Sequence, residues 1–240
     1  MVVAATTRHR QSAGPNVRAV RAVRAMETAR PDNLAEQAYR SLRSLILERK
    51  IAPGAPVVEG RLAEDLRISR TPMREAMVRL VGERLLEHAD ARSYSVRKVS
   101  ATEYFQAMQV REAMETHAMD LAVDRVPAAE INALMRDIHR LAKETEQEAV
   151  HWQADDRLHL MFAQASGNAV LVRVIEMLRV NTRLFEIAGP FRRVALDGAE
   201  HLAILAAWRE GDVKGAKKAL LAHLRSLQQE AIDVLSGRRA

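Results

Sequence analysis

Leu34, Ala38, Leu42, Leu45 and Ile46 recur at helical spacing, and the run stops at Ile51-Ala52-Pro53-Gly54. That pattern predicts a first helix from about Asn33, closed by a Pro-Gly breaker. A second, short helix fits Glu59 to Leu66, and Arg67-Ile68-Ser69 makes a tight connection to a third that begins around Ser69-Arg70-Thr71-Pro72 and runs to about Leu86. Met73, Ala76, Met77, Leu80 and Val81 form the core side of this third helix, and Arg70, Thr71 and Arg74 fall on the other side. Ser69 or Thr71 can accept from the free N–H groups of its first turn, where Pro72 is harmless because it lacks an N–H that would be unpaired anyway. Leu85 to Ala89 and Tyr94 to Val99 read as two short strands around a polar turn, Asp90-Ala91-Arg92-Ser93. Beyond Ser100 the apolar positions follow helical stripes only, over about 101–125, 128–147, 149–166, 169–188, 192–210 and 212–236. Val126-Pro127, Ser166-Gly167-Asn168, Ala188-Gly189-Pro190 and Gly211-Asp212 punctuate them as helix stops and starts.

The fold class expected is therefore mainly α: an N-terminal winged helix-turn-helix over residues 31–100, then an all-α bundle over 101–240. Two domains suit a chain of 240 residues. Residues 1–30 show no apolar face and read as a disordered basic arm, with an organellar transit peptide as the alternative. No apolar run approaches the roughly 20 residues that span a bilayer, so no membrane partner is expected. Cysteine is absent from the sequence, which removes disulfide scaffolds, thiolate metal sites and cysteine nucleophiles; any metal must use His, Asp or Glu.

Charge sharpens the division. Residues 1–30 carry six Arg and one Glu, residues 31–100 carry 13 basic against 10 acidic side chains, and residues 101–240 carry 18 against 20. A polyanionic partner such as nucleic acid is expected to be met by the first hundred residues, where neutralised phosphates release counterions, with ordinary solvated surface charge as the alternative reading of the arginines. In a winged helix-turn-helix the second helix of the pair enters the major groove, and Arg70 and Arg74 lie one turn apart on its open face. Either guanidinium can pair with phosphate or make two parallel hydrogen bonds to a guanine edge. Thr71 has two roles open to it, phosphate donor or helix cap, and Arg92 at the hairpin turn is placed for the minor groove or the backbone.

The stretches Ala38 to Leu47, Ile51-Ala52-Pro53-Gly54, Arg61-Leu62-Ala63-Glu64-Asp65-Leu66 and Ile68-Ser69-Arg70-Thr71-Pro72-Met73-Arg74-Glu75-Ala76-Met77 resemble the DNA-binding domain of GntR-type bacterial regulators. The resemblance implies a homodimer reading a short palindromic operator in double-stranded DNA, in the bacterial cytoplasm and on the nucleoid when bound. Arg70 and Arg74 match the recognition arginines. Three positions depart from the pattern. Gly60 stands where many members have a further DNA-contacting arginine, with Arg61 one place later, and Arg67 and Ser93 replace the usual turn and wing glycines. A left-handed backbone at Arg67 would cost on the order of 1 kcal/mol relative to glycine.

In the helical half, Asp155 and His159 are spaced i, i+4 and share one helix face, while His201 and His223 sit beside the apolar stripes of later helices. Three imidazoles and a carboxylate suit a divalent ion: zinc in the first place, nickel or another transition metal otherwise. Taken singly, each histidine also fits an ordinary core or surface position. Arg111 falls on the stripe Tyr104, Met108, Glu115, Ala118, and a buried guanidinium there needs an anionic partner, either Glu115 or a bound ligand. The segments Val110 to Glu115, Asp155 to His159 leading into Ala165-Ser166-Gly167-Asn168, Glu200 to Leu205 and Ala222-His223-Leu224 resemble the FCD effector domain of the FadR-type subgroup. That resemblance implies a metal on Asp155, His159, His201 and His223 completing a pocket for a small carboxylate or sugar acid. Arg111 and Asn168 are the candidate effector contacts, Asn168 having a helix-cap role equally open. The function expected is a ligand-responsive transcriptional regulator, a repressor released by its effector. A metal-dependent hydrolase or lyase and a pure metal sensor are the alternatives; the enzyme reading lacks a clear general base, Asp156 lying one residue round the helix from Asp155.

Overall fold

The computed structural model describes residues 34–90, 93–145 and 147–238. The basic arm at 1–30 and Arg92 lie outside the described residues. The elements in chain order are α1 (Leu34–Leu47), β1 (Pro56–Val57), α2 (Glu59–Leu66), α3 (Arg70–Gly82), β2 (Leu86–His88), β3 (Tyr94–Val96), α4 (Ala101–Leu121), α5 (Ala128–Leu141), α6 (Ala149–Ala165), α7 (Ala169–Ala188), α8 (Val194–Arg209) and α9 (Val213–Leu235). The mainly α class and the order of helices and hairpin follow the periodicity of the sequence. No helix among the described residues is long and apolar enough to cross a membrane.

In the N-terminal part α3 packs on α1 and α2, burying Leu42, Leu45 and Ile46 of α1 against Met73, Met77 and Leu80 of α3. β2 and β3 form an antiparallel hairpin with Leu86 opposite Val96 and His88 opposite Tyr94. A two-residue strand absent from the periodic reading, β1, adds to the far side of β3 and gives the sheet order β1-β3-β2. Two residues are too few to alternate, so β1 carries no period to read. Several ends also retreat: α3 stops at Gly82 rather than Leu86, α4 at Leu121 and α5 at Leu141. The cap of α3 differs as well. Ser69 is its N-cap residue but makes no side-chain cap bond, and Thr71 lies inside the first turn and is exposed, so neither hydroxyl closes the helix.

Arg67 ends α2 in the left-handed region, at φ 57° and ψ 40°. A Cβ there crowds the following carbonyl, which glycine avoids. Arg67→Gly is therefore expected to stabilise the N-terminal domain by about 1 kcal/mol and to raise its melting temperature by a few degrees; an unchanged or lowered melting temperature would show the strain to be relieved elsewhere.

The bundle buries Tyr104, Met108 and Met119 of α4 against α6, α7 and α9, while α8 packs on α5 and α9. Gly198 sets the approach of α8 to the end of α5: a Cβ added to it would lie 2.5 Å from the Ala142 Cβ. The two halves are joined through α7. Buried Arg97, just after β3, donates to Asn181 Oδ1 at 2.7 Å and pairs with Glu103, while Arg49 donates to the Glu186 carbonyl at 3.0 Å.

Candidate metal centre and nucleic-acid interface

Asp155 and His159 extend from one face of α6, His201 from α8 and His223 from α9. One donor atom from each lies within 4.8 Å of the others. All three imidazoles are at least 95% buried. Two of them are oriented by carboxylates. His159 Nδ1 lies 2.5 Å from Glu115 Oε2 and His223 Nδ1 lies 2.8 Å from Glu200 Oε2. A carboxylate only accepts, so each Nδ1 carries the proton and each Nε2 presents its lone pair to the centre.

Those lone pairs have no protein donor that accounts for them all. His159 Nε2 is buried without a hydrogen-bond partner, and His201 Nε2 faces His223 Nε2 at 3.3 Å. Asp155 Oδ1 is 3.5 Å from both His159 Nε2 and His201 Nε2. Three neutral imidazoles and one carboxylate turned inward fit a divalent cation of borderline softness.

Electrostatics set the protonation states. Burial pushes His159 and His223 down to about 4 and His201 down to about 3, so all are neutral at pH 7. Burial alone would raise Asp155, but Arg179 and Arg183 beside it hold its carboxyl well below the ordinary value. Arg179 donates to Asp155 Oδ2 at 2.7 Å and to Asp156 Oδ1 at 2.5 Å, and Arg183 donates to Asp155 Oδ2 at 2.5 Å while its guanidinium lies 3.6 Å from the centre of the Trp152 ring.

A pH dependence follows. On acidification the unfolded chain takes up protons near 6.5, whereas the folded imidazoles stay neutral until about 4. The metal-free protein is thus expected to lose stability as pH falls from about 6.5 toward 4. Asp197, which burial pushes up to about 7, and Glu186, which burial also raises, work in the opposite direction but are two groups against three. Urea midpoints at pH 7 and pH 5 check this; a midpoint unchanged or higher at pH 5 would contradict it.

A cavity of about 50 Å³ adjoins the cluster. It has room for about three to five waters, or a ligand of similarly few atoms. Arg111 lines it and is also bound by Glu115: Nε donates to Glu115 Oε1 at 2.6 Å and Nη1 to Thr182 Oγ1 at 3.0 Å. Glu115 is thus the anionic partner of Arg111, and the guanidinium also borders the cavity. Asn168 stands apart from the cavity lining; its Oδ1 caps α7 by accepting from the N–H groups of Val170 and Leu171 at 3.1 Å.

Several lining residues carried no signal of their own in the sequence. Trp152, Arg179 and Thr182 reach the cavity, and so does His151, whose Nδ1 also closes the first turn of α6 by accepting from the Glu148 N–H at 3.0 Å. On α7, Arg183 faces the cavity and Asn181 faces Arg97. Glu200 lies directly before His201 in sequence, a proximity that could have marked it.

On the N-terminal domain Arg61, Arg70, Thr71 and Arg74 are all exposed. Arg70 and Arg74 share the outer face of α3, and Arg61 projects from α2. Arg74 is held by Glu59, with Nε to Oε2 and Nη2 to Oε1 both 3.0 Å. The hairpin β2–β3 packs on α3 through β2.

A winged helix-turn-helix joined to a helical bundle that encloses a polar cavity defines a DNA-binding regulator with a sensing domain. The pattern of bacterial regulatory proteins of the gntR family matches residues 34–96, and the FCD domain pattern matches residues 106–226, half of the chain. The chain belongs to the FCD-bearing GntR family of transcriptional regulators. It is 26% identical over 206 residues to the HTH-type transcriptional repressor RspR of Escherichia coli K12, covering 83% of this chain and 89% of that protein. The fold is shared with Escherichia coli McbR/YncC, at TM-score 0.72 and 23% identity, over 86% of this chain and 99% of the other. It is shared also with the metal-free FCD domain of TM0439, at TM-score 0.52 and 21% identity, over 58% of this chain and 98% of that one.

Proposed function

We propose that the chain is a homodimeric repressor, acting in the cytoplasm, whose helical domain holds a divalent metal and a small carboxylate and releases DNA when that ligand binds. The observation that carries the reading is the inward convergence of four donors, two of whose imidazoles are fixed by carboxylates. Asp155, His159, His201 and His223 would hold the ion, zinc before nickel, and a bound ion supplies positive charge that a carboxylate oxygen can share. Arg111 orients the ligand, with Thr182 and Glu115 fixing the guanidinium. The small cavity limits the ligand to a short organic acid. Asn168 keeps its capping role. The relative's name, a repressor, supports the sign of regulation.

DNA is read by the outer face of α3 through Arg70 and Arg74, with Thr71, Arg61 and the wing residue Arg92 on the backbone or minor groove. α7 carries the signal, because one helix lines the cavity with Arg179, Thr182, Arg183 and Glu186 and holds the DNA-binding domain through Asn181 and the Glu186 carbonyl. Effector binding can shift DNA affinity only through differential affinity for the two arrangements of that joint. The relatives are named as regulators, and no observation on the cluster favours turnover. Fluorescence anisotropy on the duplex upstream of the gene and on a scrambled duplex tests the DNA half of this reading. A preference of at least about 1,000-fold is expected; equal, steeply salt-dependent binding to both would sink it.

A further inference from the structure

Arg74 does not project freely from α3. Glu59 opens α2, and its carboxylate, whose side chain is only 18% exposed, takes two hydrogen bonds of 3.0 Å from an Arg74 side chain that is itself 66% exposed. A guanidinium has five N–H donors in one plane. Glu59 uses Nε–H and one Nη2–H, which leaves the second Nη2–H and one Nη1–H side by side on the outer edge. That outer edge is the one that matches guanine O6 and N7 with two parallel bonds. Arg61 and Arg70 make no salt bridge among the described residues, so their charges are available to phosphate. The Glu59–Arg74 pair is close to neutral and gains little from counterion release.

We propose that Glu59 is a specificity-determining positioning residue: its carboxylate fixes the Arg74 guanidinium as a rigid fork whose open edge reads one guanine in each operator half-site. This rests on the reading above that Arg74 faces the major groove. A fixed fork loses less rotamer freedom on binding than a free arginine and holds one plane, so it discriminates among base edges rather than seeking the nearest phosphate. The acid also repels phosphate, which lowers affinity for DNA that lacks the guanine. Glu59 thereby raises the ratio of specific to nonspecific binding from both directions.

The test is selection from a random duplex library by the full-length protein, by Glu59→Gln and by Arg74→Ala, followed by anisotropy of each on the wild-type winner and on a scrambled duplex across a salt series. The wild type is expected to fix a G–C pair at one position of each half-site. Both variants should leave that position degenerate, losing about ten-fold or more in discrimination there, with the other positions retained. Glu59→Gln should also bind the scrambled duplex more tightly, with a salt slope steeper by about one. If Arg74→Ala loses the guanine and Glu59→Gln keeps it, the positioning role is refuted. If Glu59→Gln weakens all sequences equally, the acid serves α2 alone and the proposal is refuted too. If Arg74→Ala retains the whole motif, Arg74 reads no base, and the reading on which the proposal rests fails with it.

Discussion

His201→Ala is expected to reduce divalent-metal affinity by more than about 100-fold, because loss of a ligand should exceed the 10–100-fold cost of losing an outer partner. Calorimetric titration of the metal-free chain with zinc should show one ion per protomer in the wild type. Glu200→Gln leaves all four donors in place and removes the charge that orients His223, so its loss should fall within that 10–100-fold range. The imidazoles are neutral well below pH 7, so they need not shed protons to bind. At a free-metal concentration of 100 times the dissociation constant, the wild type should gain about 2.7 kcal/mol of stability, a rise of several degrees in melting temperature. His201→Ala should show no such rise at the same concentration. Equal zinc affinity in the wild type and His201→Ala would remove the metal from the account.

Glu115→Ala should be strongly destabilising, costing about 3–5 kcal/mol. Glu115 is 2% exposed and holds two groups at once: Arg111 Nε at 2.6 Å and His159 Nδ1 at 2.5 Å. Arg111 is also 2% exposed, so truncation leaves a buried guanidinium without its counter-charge. Arg111 and His159 together keep the Glu115 carboxyl ionised against the effect of burial. Glu115→Gln retains an acceptor for Arg111 and the side-chain volume, and should cost clearly less. Urea unfolding followed by helical circular dichroism separates the two variants. A cost below about 1 kcal/mol for Glu115→Ala would mean that water enters and solvates Arg111, and that the cavity is wetter than its lining suggests.

The helices were legible because each buries one stripe, as Met73, Met77 and Leu80 do in α3 and Ile131, Leu134, Ile138 and Leu141 do in α5. β1 was not, since Pro56 and Val57 gain strand character only from β3 beside them. Asp155 and His159 announced a shared face by their spacing, but nothing local aims His201 and His223 at it; the family resemblance supplied that link. The outer carboxylates, Glu115 and Glu200, were less legible still. An acidic residue four places from an arginine reads as an ordinary helix pair, and only the packing of α4 on α6 shows that Glu115 also grips His159. The joint between domains is a tertiary fact of the same kind, with Arg97 and Asn181 lying 84 residues apart.

That occupancy of the cavity sets DNA affinity is tested most directly by anisotropy of the zinc-loaded protein on its selected duplex, titrated with a series of short organic acids of two to three carbons. At least one acid is expected to raise the dissociation constant for DNA by about ten-fold or more, a coupling of ordinary size for two linked sites. That response should vanish in Arg111→Ala and in His201→Ala while their DNA binding without acid persists. An acid that binds with one-to-one stoichiometry by calorimetry, and whose binding Arg111→Ala abolishes, yet leaves the affinity for DNA unchanged, would contradict it.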